Sequence, residues 1–276
     1  MSCTSMIPPF PYLLPVRRLQ RKICFYTKMH FDKNHYAMCK EGSLLPIKVF
    51  EAGPITAGRD HTSGPQLNAD KLHNLKLAVE ALNKLVIRPN ETFSFWQLVR
   101  HAGLSHTITE AFPQKYSNIV SDYGDGMCQL SSLLFWLFLH SPLTVIERHP
   151  HSLMKCFEAE ASIPAGMDAA VCEGWLDLKV KNETGYNYQL LLSVDEDQLY
   201  GSILSDKWTV FVYEVYHQDL VYFKKGDYVY RRLTAFRNKI NTNTGKMTKH
   251  YLFDNICRIG YELPIDTTIM NIGGLL

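Results

Sequence analysis

Apolar side chains follow two periods along this chain. Between residues 70 and 140 they recur every three or four positions, and beyond 165 they alternate. In SGPQLNADKLHNLKLAVEALNKLVIRPNETFSF, the stripe Leu72, Leu75, Val79, Leu82 and Val86 predicts a helix from about Asp70 to Val86, ended by Pro89-Asn90. TFSFW reads as a short strand, and 97–123 as loops around a weak helix. The run from Cys128 to Leu139 is apolar on nearly every face. Leu130, Leu133, Leu134, Trp136, Leu137 and Phe138 leave it no solvated side, which predicts a central, buried helix stopped by His140-Ser141-Pro142. LTVIER follows as a strand, then the turn HPH.

In the second half, WLDLKVKNETGYNYQLLLSV alternates through Leu176, Leu178 and Val180 and turns over Asn182 to Gly185, a strand and hairpin signal. LYGSILSD, TVFVYEVYH, LVYFKKGDYVYRRLTAF and KHYLFDNICRIGY continue the alternation, with turns at Lys224–Asp227 and Asn241–Gly245. Helical text followed by consecutive strands predicts an α+β fold: a helical N-terminal half with a central buried helix starting at a cysteine, then a mostly antiparallel sheet. The expected division is an irregular N-terminal arm over 1–42 and a single domain over 43–276, helical to 142 and β-rich beyond it.

Composition narrows the function classes. With 276 residues, 46% of them hydrophobic, the chain can fill its own core. Its 29 basic and 27 acidic side chains leave a formal charge of +2, without the basic excess of a nucleic-acid binder. Seven cysteines at irregular spacing, with no C-x-x-C pair, argue against a disulfide framework. MSCTSMIPPFPYLLPVRRLQRK has its prolines within the apolar patch and its basic residues after it, the reverse of a secretory signal. No run approaches 18 uninterrupted apolar residues, so no transmembrane helix is expected. On these grounds alone the expected compartment is cytoplasmic.

The chemistry concentrates at SDYGDGMCQLSS. A thiol attacks a carbonyl only as thiolate, and its free pKa of about 8.5 must fall first. A helix N-terminus favours the anion through its backbone N–H groups and dipole. With Cys128 at that terminus, the N–H groups of Cys128 and Gln129 are candidates for an oxyanion hole. Gly124 and Gly126 would keep the approach to the sulfur clear of side chains and allow a positive φ. The alternative is a cysteine that merely fills the core, the commoner fate of this residue type.

A nucleophile needs a base, and His149 and His151 in ERHPHS follow a strand directly after the apolar helix, where neighbouring elements tend to pack. Asp168 or Glu147 would orient the imidazole; spacing does not choose between them. A zinc site from His149 and His151 with Cys156 or Cys128 lacks the usual ligand spacings. A serine hydrolase lacks G-x-S-x-G, and Ser131 and Ser132 sit within an apolar helix, where hydroxyls tend to bond back to a carbonyl.

RPNETFSFW, GDGMCQLSSLLFWLFLHSPLTVIERHPHS, GMDAAV and LDLKVKNET occur in this order and resemble the VanW family, from about Leu45 to Val194, with a looser echo in YVYRRL. Gly124, Gly126, Cys128, Gln129 and Ser131 fall on the family's Gly-Gly-Gly-x-Cys-Gln-x-Ser pattern; Asp125 stands in place of its middle glycine. A carboxylate there, if turned inward, opposes thiolate formation. The family's ER-x-x-HS segment lands on Glu147, Arg148, His151 and Ser152, and its G-x-DA segment on Gly166, Asp168 and Ala169.

The resemblance implies L,D-transpeptidase-like chemistry: a cysteine-dependent acyl transferase or amide hydrolase of peptidoglycan peptides. Cys128 is then the nucleophile, His151 the base and acid, and Asp168 the orienter. Gly124, Gly126, Gln129, Ser131, Arg148 and Ser152 line the substrate or oxyanion side. That chemistry needs no cofactor, and its partner is a stem peptide or precursor at the cell envelope. The rival reading is a noncatalytic accessory or binding module for cell-envelope precursors linked to glycopeptide resistance, in which the same turn holds a carboxylate without attacking it. A third is a cytosolic cysteine hydrolase of some other amide.

Overall fold

The computed structural model of the chain describes residues 14–56, 65–102, 126–154 and 163–271. In chain order the elements are α1 (Leu14–Phe31), β1 (His35–Tyr36), β2 (Ile47–Thr56), α2 (Pro65–Leu82), β3 (Val86–Ile87), β4 (Glu91–Ser94), α3 (Phe95–His101), α4 (Met127–Leu139), β5 (Thr144–Glu147), β6 (Leu153–Met154), β7 (Lys179–Lys181), β8 (Tyr188–Asp195), β9 (Gln198–Ser205), β10 (Phe211–Lys225), β11 (Tyr228–Asn241), β12 (Met247–Ile259) and β13 (Ile269–Asn271). Three sheets run β1-β4-β7-β5, β2-β9-β8-β3 and β13-β10-β11-β12-β6. Their pairings are antiparallel except for β1 with β4, β10 with β13 and β12 with β6. The class is α+β.

All three sheets meet α4. Phe138 packs its ring 5.1 Å from that of Phe93 on β4. Phe135 stands 5.8 Å from the ring of Phe253 on β12. On the third side the helix lies directly on β9 at Gly201, where an added Cβ would come within 2.9 Å of Leu133 and 3.0 Å of Leu137. A helix so enclosed has no use for a polar face, and eleven of its thirteen residues are buried.

Several expectations need correction. The 1–42 arm is not irregular over its described part, because Leu14–Phe31 is helical. Four strands are interleaved with the helices before residue 140, so the first half is not helical throughout. α2 ends at Leu82 and not at Val86: Lys84 takes a φ of +63°, its N–H bonds Leu190 O at 2.8 Å, and Val86 moves into β3 beside β8. Only Thr92 to Ser94 of TFSFW are strand. Ser94 then caps α3, accepting from the Gln97 N–H, and Phe95 and Trp96 are helical.

The expected hairpin over 176–194 is also absent. β7 pairs with β4 and β5, whereas β8 pairs with β9 and β3 in another sheet. Asn182, fully buried, holds the crossing: its amide donates to Ile87 O at 2.9 Å and Tyr186 O at 2.7 Å, and its side-chain oxygen accepts from Thr184. Alternation reports which way side chains face, not which strand lies alongside.

Candidate active site

Cys128 is the second residue of α4, one place later than a first-position cysteine, and is only 5% exposed. Its sulfur approaches Val171 O at 3.6 Å. Gly126, the N-cap residue, has a φ of +79°, and a Cβ on it would lie 2.7 Å from Lys71 O of α2. Glycine is therefore required here by the packing of α4 on α2, a reason other than clear approach to the sulfur. Gly124 and Asp125 lie outside the described residues, as does Cys156.

The strand β5 leads out of the core into 148–151, which runs beside 163–171, with Ala170 N–H bonding His149 O at 2.8 Å. This places two histidines in different company. His149 turns its ring to Glu147, 3.1 Å away, whose other oxygen pairs with Lys179 at 2.9 Å. His151 turns inward: its Nδ1 is bonded to Asp168 Oδ2, and its backbone N–H donates to the same oxygen at 3.0 Å. The Cys128 sulfur interacts with the same imidazole and favours its charged form.

Burial of His151 disfavours its charged form, but the Asp168 carboxylate and the Cys128 sulfur outweigh that and push its pKa up to about 11. Asp168 is correspondingly held well below the usual carboxylate range: desolvation opposes this, and the bonds and charges of His151 and Arg148 overcome it. The surroundings of His151 thus favour its imidazolium form. An imidazolium beside a thiol in the first turn of a helix is the arrangement that favours a thiolate.

Asp168 is itself fixed from two sides. Arg148 Nε donates to its backbone oxygen at 2.7 Å, while Nη2 reaches Gly166 O at 3.1 Å and Asp168 Oδ1 at 3.5 Å. The guanidinium lies 4.3 Å from the Phe253 ring centroid and 5.2 Å from that of Phe135. From β12, Asn255 Nδ2 bonds Gly166 O at 2.8 Å and lies 3.4 Å from Asp168 Oδ1. α4 joins the same loop through neighbouring hydroxyls: Ser131 donates to Ala169 O at 2.6 Å, and Ser132 accepts from Ala169 N–H at 3.2 Å.

The structure therefore brings Cys128, His151 and Asp168 into one chain of contacts. Arg148 and Ser131 are both bonded to the Asp168 loop. Ser152 is exposed and joins the assembly through its carbonyl, which accepts from Arg258 N–H at 2.9 Å. Gln129 is half-buried, next to Cys128 in the first turn. Sequence reasoning missed Asn255; the available signal was a lone amide amid the apolar text of YLFDNIC. Among the described residues no three His, Cys, Asp or Glu side chains converge as a metal site needs, since His149 and His151 serve different carboxylates. None of the five described cysteines is in a disulfide.

Comparison with known proteins bears on this geometry. Residues 70–204 match the family model described as VanW like protein. The Vancomycin B-type resistance protein VanW of Enterococcus faecalis (strain ATCC 700802 / V583) is 38% identical over 258 residues, 92% of this chain and 93% of that protein. This chain belongs to the VanW family.

The family is linked to vancomycin resistance through that relative's name. A shorter match, 30% identity over 125 residues, covers 45% of this chain and 39% of the uncharacterized protein YoaR of Bacillus subtilis (strain 168). No solved structure gives a significant match. The VanW match over 70–204 contains α4, His151 and Asp168 but stops short of Asn255 and of β10 to β12.

Proposed function

We propose that this VanW protein is a cysteine-dependent acyl transferase or amide hydrolase of peptidoglycan peptides, with L,D-transpeptidase-like chemistry. The observation that carries the reading is the linked series Asp168, His151, Cys128, in which a buried carboxylate holds Nδ1 of an imidazole that also interacts with a helix-terminal sulfur. The relative's name refers to vancomycin resistance, and the substrate class is taken from the family resemblance.

In this reading the Cys128 thiolate attacks the peptide carbonyl, forming a C–S bond as the carbonyl electrons move to oxygen. The N–H groups of Cys128 and Gln129 hold that oxyanion. His151 gives its proton to the departing amine as the C–N bond breaks, leaving a thioester on Cys128. A second amine, or water, then attacks the thioester, gives up its proton to His151 and returns the thiolate. Asp168 keeps the ring oriented and stabilises its positive form throughout.

Stem peptide incubated with purified protein, followed by mass spectrometry, tests this directly. Cross-linked or cleaved product and a thioester adduct are expected from the wild type and neither from Cys128→Ala; equal product from both would remove the assignment. The small exposure of Cys128 favours a second reading, a noncatalytic module that binds cell-envelope precursors. Titration with a thiol-reactive probe separates the two. One cysteine reacting well below pH 8.5 supports the enzyme, and uniform reactivity at ordinary thiol pH supports the module.

A further inference from the structure

α1 is docked by one face and exposes another that does not suit water. Lys22, Phe25, Tyr26 and Met29 form the docked face. Tyr26 OH donates to Glu173 at 2.9 Å, Lys22 pairs with the same carboxylate, and the Arg100 guanidinium lies 4.0 Å over the Tyr26 ring. The helix backbone at Lys22 rests against Gly174, where a Cβ would lie 3.1 Å from the Lys22 N and Cα. The position of α1 is therefore set by specific contacts at its centre.

Rotated by about a third of a turn from that face stands a second stripe. Val16, Leu19 and Ile23, at i, i+3 and i+7, are 61%, 59% and 57% exposed, and Phe31 at the end is 79% exposed. Past Gln20, Cys24 and Thr27, on the remaining exposed side of the helix, runs a basic row, Arg17, Arg21 and Lys28. From residue 1 to 31 the sequence holds five Lys and Arg, at 17, 18, 21, 22 and 28, and no Asp or Glu. The whole chain, by contrast, is nearly neutral at +2, so this positive charge is local.

An apolar stripe and a row of cations sharing the outward half of a helix docked on a folded domain are what an interfacial helix presents to a bilayer: the stripe enters the acyl boundary and the cations meet the headgroups. A nucleic acid would satisfy the basic row but leave Val16, Leu19 and Ile23 in water. We infer that α1 seats this protein on the surface of a phospholipid bilayer that carries anionic headgroups, without crossing it. No helix among the described residues is long and apolar enough to span a membrane. The inference does not depend on the chemistry proposed for Cys128.

The test is flotation of the full chain with vesicles of phosphatidylcholine alone and of phosphatidylcholine with phosphatidylglycerol, at low and high salt, with analytical ultracentrifugation alongside. Binding to the anionic vesicles only, weakened by salt, is expected. Arg17→Gln with Arg21→Gln should lower the partition constant roughly 25-fold, about fivefold for each charge removed. Leu19→Ser with Ile23→Ser, both at exposed positions that leave the fold intact, should also abolish flotation. Three results would overturn the inference: no flotation of the wild type, unchanged flotation of the Ser variant, or a dimer in solution that the Ser variant dissociates, which would assign the stripe to a second copy. Binding to phosphatidylcholine vesicles equal to that to anionic ones would also overturn the assignment.

Discussion

The loop around Asp168 and the long meander β10–β11–β12 use similar polar side chains but find their partners in opposite ways. At Asp254 of the meander the partners are the residue across the ladder and its neighbour. Thr234 faces Asp254 in register and donates to it at 2.9 Å, and Arg232, two residues along the strand, reaches the other oxygen at 2.9 Å. Lys249 lies 3.8 Å over the ring of Phe236, close to its own register partner Asn238. Around Asp168 the partners come from the exit of β5, from the following turn and from β12, up to 87 residues away. The Asp254 bonds follow from strand pairing and lie in water; the loop's bonds exist only when separate elements have docked, and they lie inside. Each bond is therefore cheap to lose in the first region and costly in the second.

Asp168→Ala breaks that contrast most severely. It leaves Arg148 and His151 as buried cations without their carboxylate, and about 3–5 kcal/mol of unfolding free energy should be lost in urea titration. A loss below that of any meander variant would mean the loop is not held as described.

The second test is the pH dependence of the same pair. The folded pKa of His151, about 11, lies above the roughly 6.5 of a free histidine. Its contribution is thus fully present below about pH 6.5 and declines as pH rises toward 11. At the acid end, the depressed pKa of Asp168 means its contribution is lost as pH falls through that low folded value. The stability gap between wild type and His151→Gln should accordingly narrow steadily above neutrality, and a gap independent of pH would show that the ring is neutral in the folded protein.

Smaller effects sharpen the comparison. Ser131→Ala leaves the buried Ala169 carbonyl without its short bond and should cost about 1–3 kcal/mol. Asp254→Ala, at the exposed pair of the meander, should cost less than about 1 kcal/mol and fade with salt. If these two substitutions cost the same, burial does not separate the regions.

Much of this was legible in the residues, though unevenly. The absence of a polar face between Cys128 and Leu139 announces a buried helix, and the alternation beyond 210, punctuated by KKGD and NTNTG, announces the meander. The sulfur, two histidines and two carboxylates could be named as candidates, and the family resemblance singled out His151 and Asp168. Arg148 was the least legible: a basic side chain in a site suggests substrate binding, whereas here its guanidinium is spent on two backbone carbonyls between two phenylalanine rings. The helix Leu14–Phe31 was missed because Pro15 and scattered cations mask the short docked stripe of Lys22, Phe25, Tyr26 and Met29.

By itself the sequence determined the class of α2, of α4 and of the meander strands, and the inventory of reactive groups, because periodicity and side-chain chemistry are properties of neighbouring positions. Only the tertiary structure decided that β7 and β8 belong to different sheets, that His149 faces Glu147 while His151 faces Asp168, and that Gly126 is required by Lys71 of another helix. Those outcomes turn on which distant surfaces meet, and the free energy that selects among them comes from burying several elements at once, a quantity that no local stretch of residues contains.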